Sequence, residues 1–193
     1  MPETTVSSAA IPDLGPILRR LLAGGQDAPT FSLEAVAREA GITRLTVYNQ
    51  FESRRGLQEA VFDDIARRGG LFDIPSILAN PDVMTALRRL VAVFCRFWAS
   101  HDRAHAWLIA MAKLDQEIAA SLKQRTERRR RVLATLVDRL PRVREPADLV
   151  DVLFTLTSFE TFAALSVRQR SAAAVERLIW QLIDDSVTRR CAC

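Results

Sequence analysis

The chain has 193 residues, 49% of them hydrophobic and 26% charged, which allows one domain or two small ones and is too apolar for a disordered chain. No run approaches the about 20 apolar residues of a membrane span; the longest, Ala106 to Ala112, is short, and three cysteines, an odd number, make no disulfide framework. The N-terminus lacks the basic stretch, apolar run and small-residue cleavage site of a secretory signal, so a cytoplasmic protein without membrane attachment is expected.

The formal net charge of +4 hints at a polyanionic partner, but its distribution says more. The first 70 residues carry eight basic side chains against nine acidic ones. Segment 123–144 carries nine basic ones against Glu127 and Asp138. That tract reads as a solvated arginine face. An anionic effector, a partner, or long-range attraction to DNA are the other readings.

Apolar residues recur at three and four throughout, so the expected fold is all-α. Residues 1–12 are small and polar and read as disordered. A short helix is expected over about 14–23, with Ile17, Leu18, Leu21 and Leu22 inward, Pro16 in its first turn and Gly24-Gly25 at its end. Ser32 caps a helix to about Ala40, Thr43 one to about Gln50, and Ser53 one to about Arg68. A loop-like stretch lies between Pro75 and Pro81. Helices are then expected over about 81–100, 102–113, 116–140, 146–167 and 172–188. The domains are expected at 1–68 and 69–193: an N-terminal three-helix helix-turn-helix domain followed by a helical bundle, about nine helices in all.

The strongest local pattern is Ser32 to Phe51, SLEAVAREAGITRLTVYNQF. Val36 and the small Ala37 face inward on the first helix. Gly41 stands where the chain must bend and where a positive φ is cheap for glycine alone. Ile42 plugs the turn, and Leu45 or Val47, with Phe51, returns to the core. This is the layout of a helix-turn-helix. The second helix of such a pair can enter the major groove of DNA. Its outward residues would be Arg44, Thr46, Tyr48 and Asn49, whose side chains suit guanine, a thymine methyl or phosphate, phosphate, and adenine. Ser53 and the start of the next helix would offer backbone N–H groups to a phosphate, with Arg54 or Arg55 beside them. An ordinary helical hairpin with a glycine turn fits the Ala–Gly spacing equally well.

The block ITRLTVYNQFESRRGLQEAVF resembles the DNA-binding segment of the tetracycline-repressor (TetR) family of bacterial regulators. The resemblance is carried by the Gly-Ile-Thr turn, Thr-Val-Tyr in the second helix, Phe51 two residues after Asn49, Ser53, a basic residue and Leu57. It covers residues 32–62 well and the remainder in architecture, including the SFETFAALSV stretch and a final amphipathic helix. It implies DNA contacts from Ser32, Arg44, Thr46, Tyr48, Asn49, Ser53 and Arg54, with Thr43 at the head of the same helix. The chain departs from the family at Leu45, where a small residue or proline is usual, and at Gln50, often histidine.

Residues 83–113 hold many large apolar groups, which at helical spacing are most often plain core. The alternative is a ligand pocket between helices, and the resemblance implies one in this half. Its candidate lining is Phe94, Trp98, His101, His105, Trp107, Met111 and Phe154. His101 and His105 straddle a helix boundary, so a capping or pocket role is expected and a metal site is not. The last two helices are apolar on more than one side, which favours burial against a second copy. The candidate dimer interface is Phe154, Thr157, Ser158, Thr161, Leu165, Leu178 and Leu182, in a four-helix bundle. Cys191 and Cys193 read as an inert, frayed end.

No phosphate-cradling glycine loop or nucleophile elbow is present, and neither histidine has a catalytic context. No enzyme, cofactor, metal or catalytic residue is expected. The expected function is a dimeric transcriptional repressor that releases a palindromic double-stranded DNA operator when a small-molecule effector binds. The alternative is a helical dimer that has lost DNA contact and acts as a scaffold or small-molecule binder.

Overall fold

Helical spacing dominates the sequence, and helix is what forms. A computed structural model describes Glu34, Ala37, Arg38 and residues 41–100, 102–167 and 169–191. Among them are nine α-helices, one 3-10 turn and no strand, so the fold is all-α. The helices are α1 (Arg44–Phe51), α2 (Arg54–Arg68), α3 (Ile74–Leu78), α4 (Val83–Ser100), α5 (Asp102–Met111), α6 (Gln116–Val137), α7 (Pro146–Leu156), α8 (Phe159–Leu165) and α9 (Ala172–Cys191). The chain divides into two compact units, Met1–Phe62 and Asp63–Cys193. The division falls inside α2, not at its end after Arg68 as the glycine pair 69–70 suggests. The expected helix over 14–23 and the cap at Ser32 lie outside the described residues.

The second unit is built around α4. Its buried residues Leu87, Leu90, Val91 and Phe94 recur at three and four, and α9 lies against this stripe. α9 buries Val175, Ile179, Ile183 and Val187, a strict repeat of four that confines burial to one side of the helix. α6 contributes Leu133, Leu136 and Val137, and α7 contributes Leu149 and Leu153, to the same core. Burying a leucine or isoleucine side chain is worth about 1.5–3 kcal/mol, so these stripes hold the unit together.

Three expected boundaries move. The loop-like stretch after Pro75 contains α3, with Pro75 in its first turn and Ile77 buried. A proline is tolerated there because that N–H has no intrahelical partner. The expected helix over 116–140 stops at Val137, and Leu140 is buried from the turn that follows. The expected helix over 146–167 breaks in two. Ser158 is extended (φ −77°, ψ 160°) and its side chain accepts a 3.1 Å hydrogen bond from the Thr161 N–H, capping α8. A serine with an acidic residue two positions on, here Glu160, is a start signal in the middle of an apolar run.

Candidate nucleic-acid interface and the aromatic–arginine cluster

In the first unit the turn around Gly41 has the geometry of a Schellman cap. The Gly41 N–H donates to the Arg38 carbonyl at 3.3 Å and the Ile42 N–H to the Ala37 carbonyl at 3.0 Å. Gly41 has a φ of +66°, which strains any L side chain. Thr43 then caps α1, its hydroxyl accepting from the Thr46 N–H at 3.1 Å. At the other end Glu52 takes a positive φ of 59° and Ser53 accepts from the Gly56 N–H at 3.0 Å, capping α2. A side chain at Gly56 would collide with the Phe51 carbonyl oxygen, so the two helices can meet this closely only through glycine.

These caps fix the rotation of α1. Val47 is fully buried and Phe51 half-buried, while Leu45 is 66% exposed. Of the two residues the spacing offered as the inward one, the fold uses Val47. Thr43, Arg44, Thr46, Tyr48, Asn49 and Ser53 are all exposed, and Tyr48, a large aromatic, is 53% exposed. Arg44 Nε lies 2.9 Å from the Glu34 carboxylate, and both side chains are largely in solvent. Such a pair is worth about 0–1 kcal/mol and opens readily. Arg54 opens α2, Arg55 is exposed beside it, and Ser32 lies outside the described residues.

In the second unit an aromatic cluster joins α4, α5 and α8. Trp98 and His105 ring centroids are 4.7 Å apart, Phe97 and His105 4.5 Å, and Trp98 and Phe159 5.7 Å. His105 is buried, with Nε2 3.3 Å from the Phe97 carbonyl oxygen, to which it donates. The Trp98 indole N–H donates to the Thr157 carbonyl at 3.0 Å. Of the expected pocket residues, then, Trp98 and His105 come together. Phe94 lies in the main core, and Phe154 stands apart beneath two arginines. Trp107 and Met111 belong to α5, and His101 lies outside the described residues.

Those two arginines come from α6. The Arg129 and Arg130 guanidinium carbons lie 4.0 and 4.2 Å from the Phe154 ring centroid. Arg129 Nη1 donates to the Phe154 carbonyl at 2.7 Å and to the Thr157 hydroxyl at 2.9 Å. Thr157 passes its own hydroxyl proton to the Leu153 carbonyl at 2.8 Å. The Leu153, Phe154 and Thr157 carbonyls at the α7–α8 break thereby each accept a side-chain hydrogen bond. Burial, opposed by Glu160 and aided by neighbouring Arg130, pushes the Arg129 pKa down to about 10. Arg130 pairs with Asp151, and Arg139 caps the carbonyls of Leu78, Asn80 and Pro81.

The basic tract is therefore not uniformly a solvated face. Ile118, Leu122, Arg125, Arg129, Leu133, Leu136 and Leu140 follow one another at spacings of four and three. Arg125 and Arg129 occupy two places on the apolar stripe of α6 and are half-buried, whereas Arg128 and Arg131 stand off it and are exposed. That spacing is a signal the sequence already held.

Of the expected interface residues, Thr157 is buried within its own chain. Ser158, Thr161, Leu165 and Leu178 are half-buried, and Leu182 is 41% exposed. Cys95 is buried in the core, and burial first, then Glu176, pushes its thiol up to about 12, so it stays protonated. Among the described residues no group of three or more His, Cys, Asp or Glu could hold a metal ion. Among them, too, no helix is long and apolar enough to cross a membrane. No protein-family model and no curated protein matches the chain.

Proposed function

We propose that the protein is a dimeric, ligand-responsive transcriptional repressor of the TetR type, acting on DNA in the cytoplasm. The observation that carries this reading is the rotation of α1. Val47 is its buried residue among those described, and Arg44, Thr46, Tyr48 and Asn49 are exposed. These four suit base edges and phosphates. The Gly41 cap before α1 and the Ser53 cap after it are what a helix-turn-helix needs, and the α2 N-terminus suits a phosphate. Arg44 rests on Glu34 in the free chain, a weak pair that DNA can displace.

Dimerisation would use the flank of α9. Leu178 and Leu182 stand one turn apart at the edge of the buried Val175–Ile179–Ile183 stripe, the first half-buried and the second 41% exposed. Two recognition helices would then meet successive major grooves about one helical turn apart. An effector bound in the second unit would favour a spacing that does not fit the operator, with a coupling of about 1–3 kcal/mol.

The test is selection from a random duplex pool, followed by titration of the enriched sequence at several salt concentrations. A palindromic sequence is expected to emerge. Alanine at Arg44 and Tyr48 together should weaken binding on the order of 100-fold and flatten the salt slope. Unchanged affinity and slope in that variant would remove α1 from DNA recognition.

A further inference from the structure

The half-buried guanidinium of Arg129 stacks on Phe154 and, among the described residues, donates through Nη1 alone. Its Nη1 is committed to the Phe154 carbonyl and the Thr157 hydroxyl. Its other edge, Nε and Nη2, has no hydrogen-bond partner among the described residues. No carboxylate forms an ion pair with it among those residues either. Asp151 goes to Arg130 and Asp63 to Arg125, and Glu160 acts on it only at a distance. A cation drawn out of water without a paired anion is costly, and burial is the first cause that depresses its pKa. The unused Nε–Nη2 edge is a planar fork of parallel N–H groups, the geometry that matches a carboxylate.

An aromatic cluster reaches the same residue, Thr157. Trp98 donates to the Thr157 carbonyl while Arg129 donates to the Thr157 hydroxyl, so indole and guanidinium meet on one residue. Trp98 in turn packs against His105 and Phe159, with centroids 4.7 and 5.7 Å from its ring. We infer that Arg129 anchors the effector, and that the effector is a flat, largely apolar carboxylic acid whose carboxylate takes the Nε–Nη2 fork while its ring lies against Trp98. The inference rests on the ligand-responsive reading above and names the chemistry of that ligand. One negative charge is called for: Arg129 supplies one fork, and the neighbouring Arg130 pairs with Asp151. Arginine stays charged across the physiological range, so recognition would not depend on pH there.

The test uses the full chain without DNA and two matched pairs of probes, benzoate with benzamide and 1-naphthoate with 1-naphthamide, titrated by calorimetry. Each acid is expected to bind about tenfold or more tightly than its amide, because the amide leaves the fork without its charged partner. Arg129→Gln should abolish the preference, and Arg130→Gln should leave it. Arg129→Lys, which keeps the charge but not the fork, should lower it at least threefold, and it decides the matter if Arg129→Gln fails to fold. Equal affinity for acid and amide, binding of neither, or a preference that survives the Arg129 substitutions overturns the inference. The Arg44→Ala, Tyr48→Ala double variant separates the two readings. It should lose DNA yet titrate 1-naphthoate as the unaltered chain does, so either result can fail alone.

Discussion

Arg44 and Arg129 carry the same guanidinium into opposite surroundings. Arg44 opens α1, largely in solvent, resting on an equally solvated Glu34. Arg129 sits on the apolar stripe of α6, stacked on Phe154 and donating to a carbonyl and a hydroxyl at a helix break. Water screens the first and leaves it available; burial makes the second part of the framework. The contrast teaches that count and type of charge say little about role. The first 70 residues are slightly acidic overall yet hold the proposed DNA-reading helix, while the most basic tract keeps Arg125, Arg129 and Arg130 half-buried against the bundle.

Five substitutions test the difference between the two arginines and their surroundings. The largest effect belongs to the framework beneath Arg129. Leu153→Ala empties a fully buried site on α7 and should cost about 2–5 kcal/mol in chemical denaturation. Next, Arg129→Ala should cost about 1.5–3 kcal/mol, since it strips a charged donor from two acceptors and uncovers Phe154. A cost near zero would mean the guanidinium is as solvated as that of Arg44. Gly41→Ala should cost about 1–2 kcal/mol. Nothing lies within 4 Å of an added Cβ there, so the whole effect is the positive φ, read from hydrogen exchange around α1. Arg44→Ala should change stability by less than about 0.5 kcal/mol while weakening DNA binding. Glu34→Gln should change stability least of all and tighten DNA binding about two- to fivefold by releasing Arg44. Weaker DNA binding in that variant would mean Glu34 orients Arg44 instead of holding it back.

Much of the first unit's candidate interface is legible in the residues. Gly41, Thr43 and Ser53 announce a positive-φ turn and two caps, and each does so through its own chemistry. The choice between Leu45 and Val47 is not legible. Both sit at tolerable angles on an eight-residue helix, and only contact with the rest of the unit selects Val47. The break at Thr157–Ser158 is half-legible. Its serine cap is visible, but the surrounding run contains no glycine or proline, so helix periodicity continues through it. Arg129 is hidden for another reason. In a run of four arginines each residue looks alike, and the spacing to Leu122 and Leu133 is what puts Arg129 on the apolar stripe.

The sequence by itself determined the helical class and most helix ends, because glycine, proline and capping side chains act on the backbone within a few residues. It also held the polar chemistry of Arg44, Thr46, Tyr48 and Asn49, although these span a wide arc of α1 that also includes the exposed Leu45. Tertiary packing chose which face of α1 turns inward, where the α7–α8 run breaks, and what Arg129 stacks on and donates to. Those outcomes depend on apolar surface and hydrogen-bond partners brought together from segments far apart along the chain. Arg129 meets Phe154 and Thr157 across 25 and 28 residues, and no local rule reaches so far.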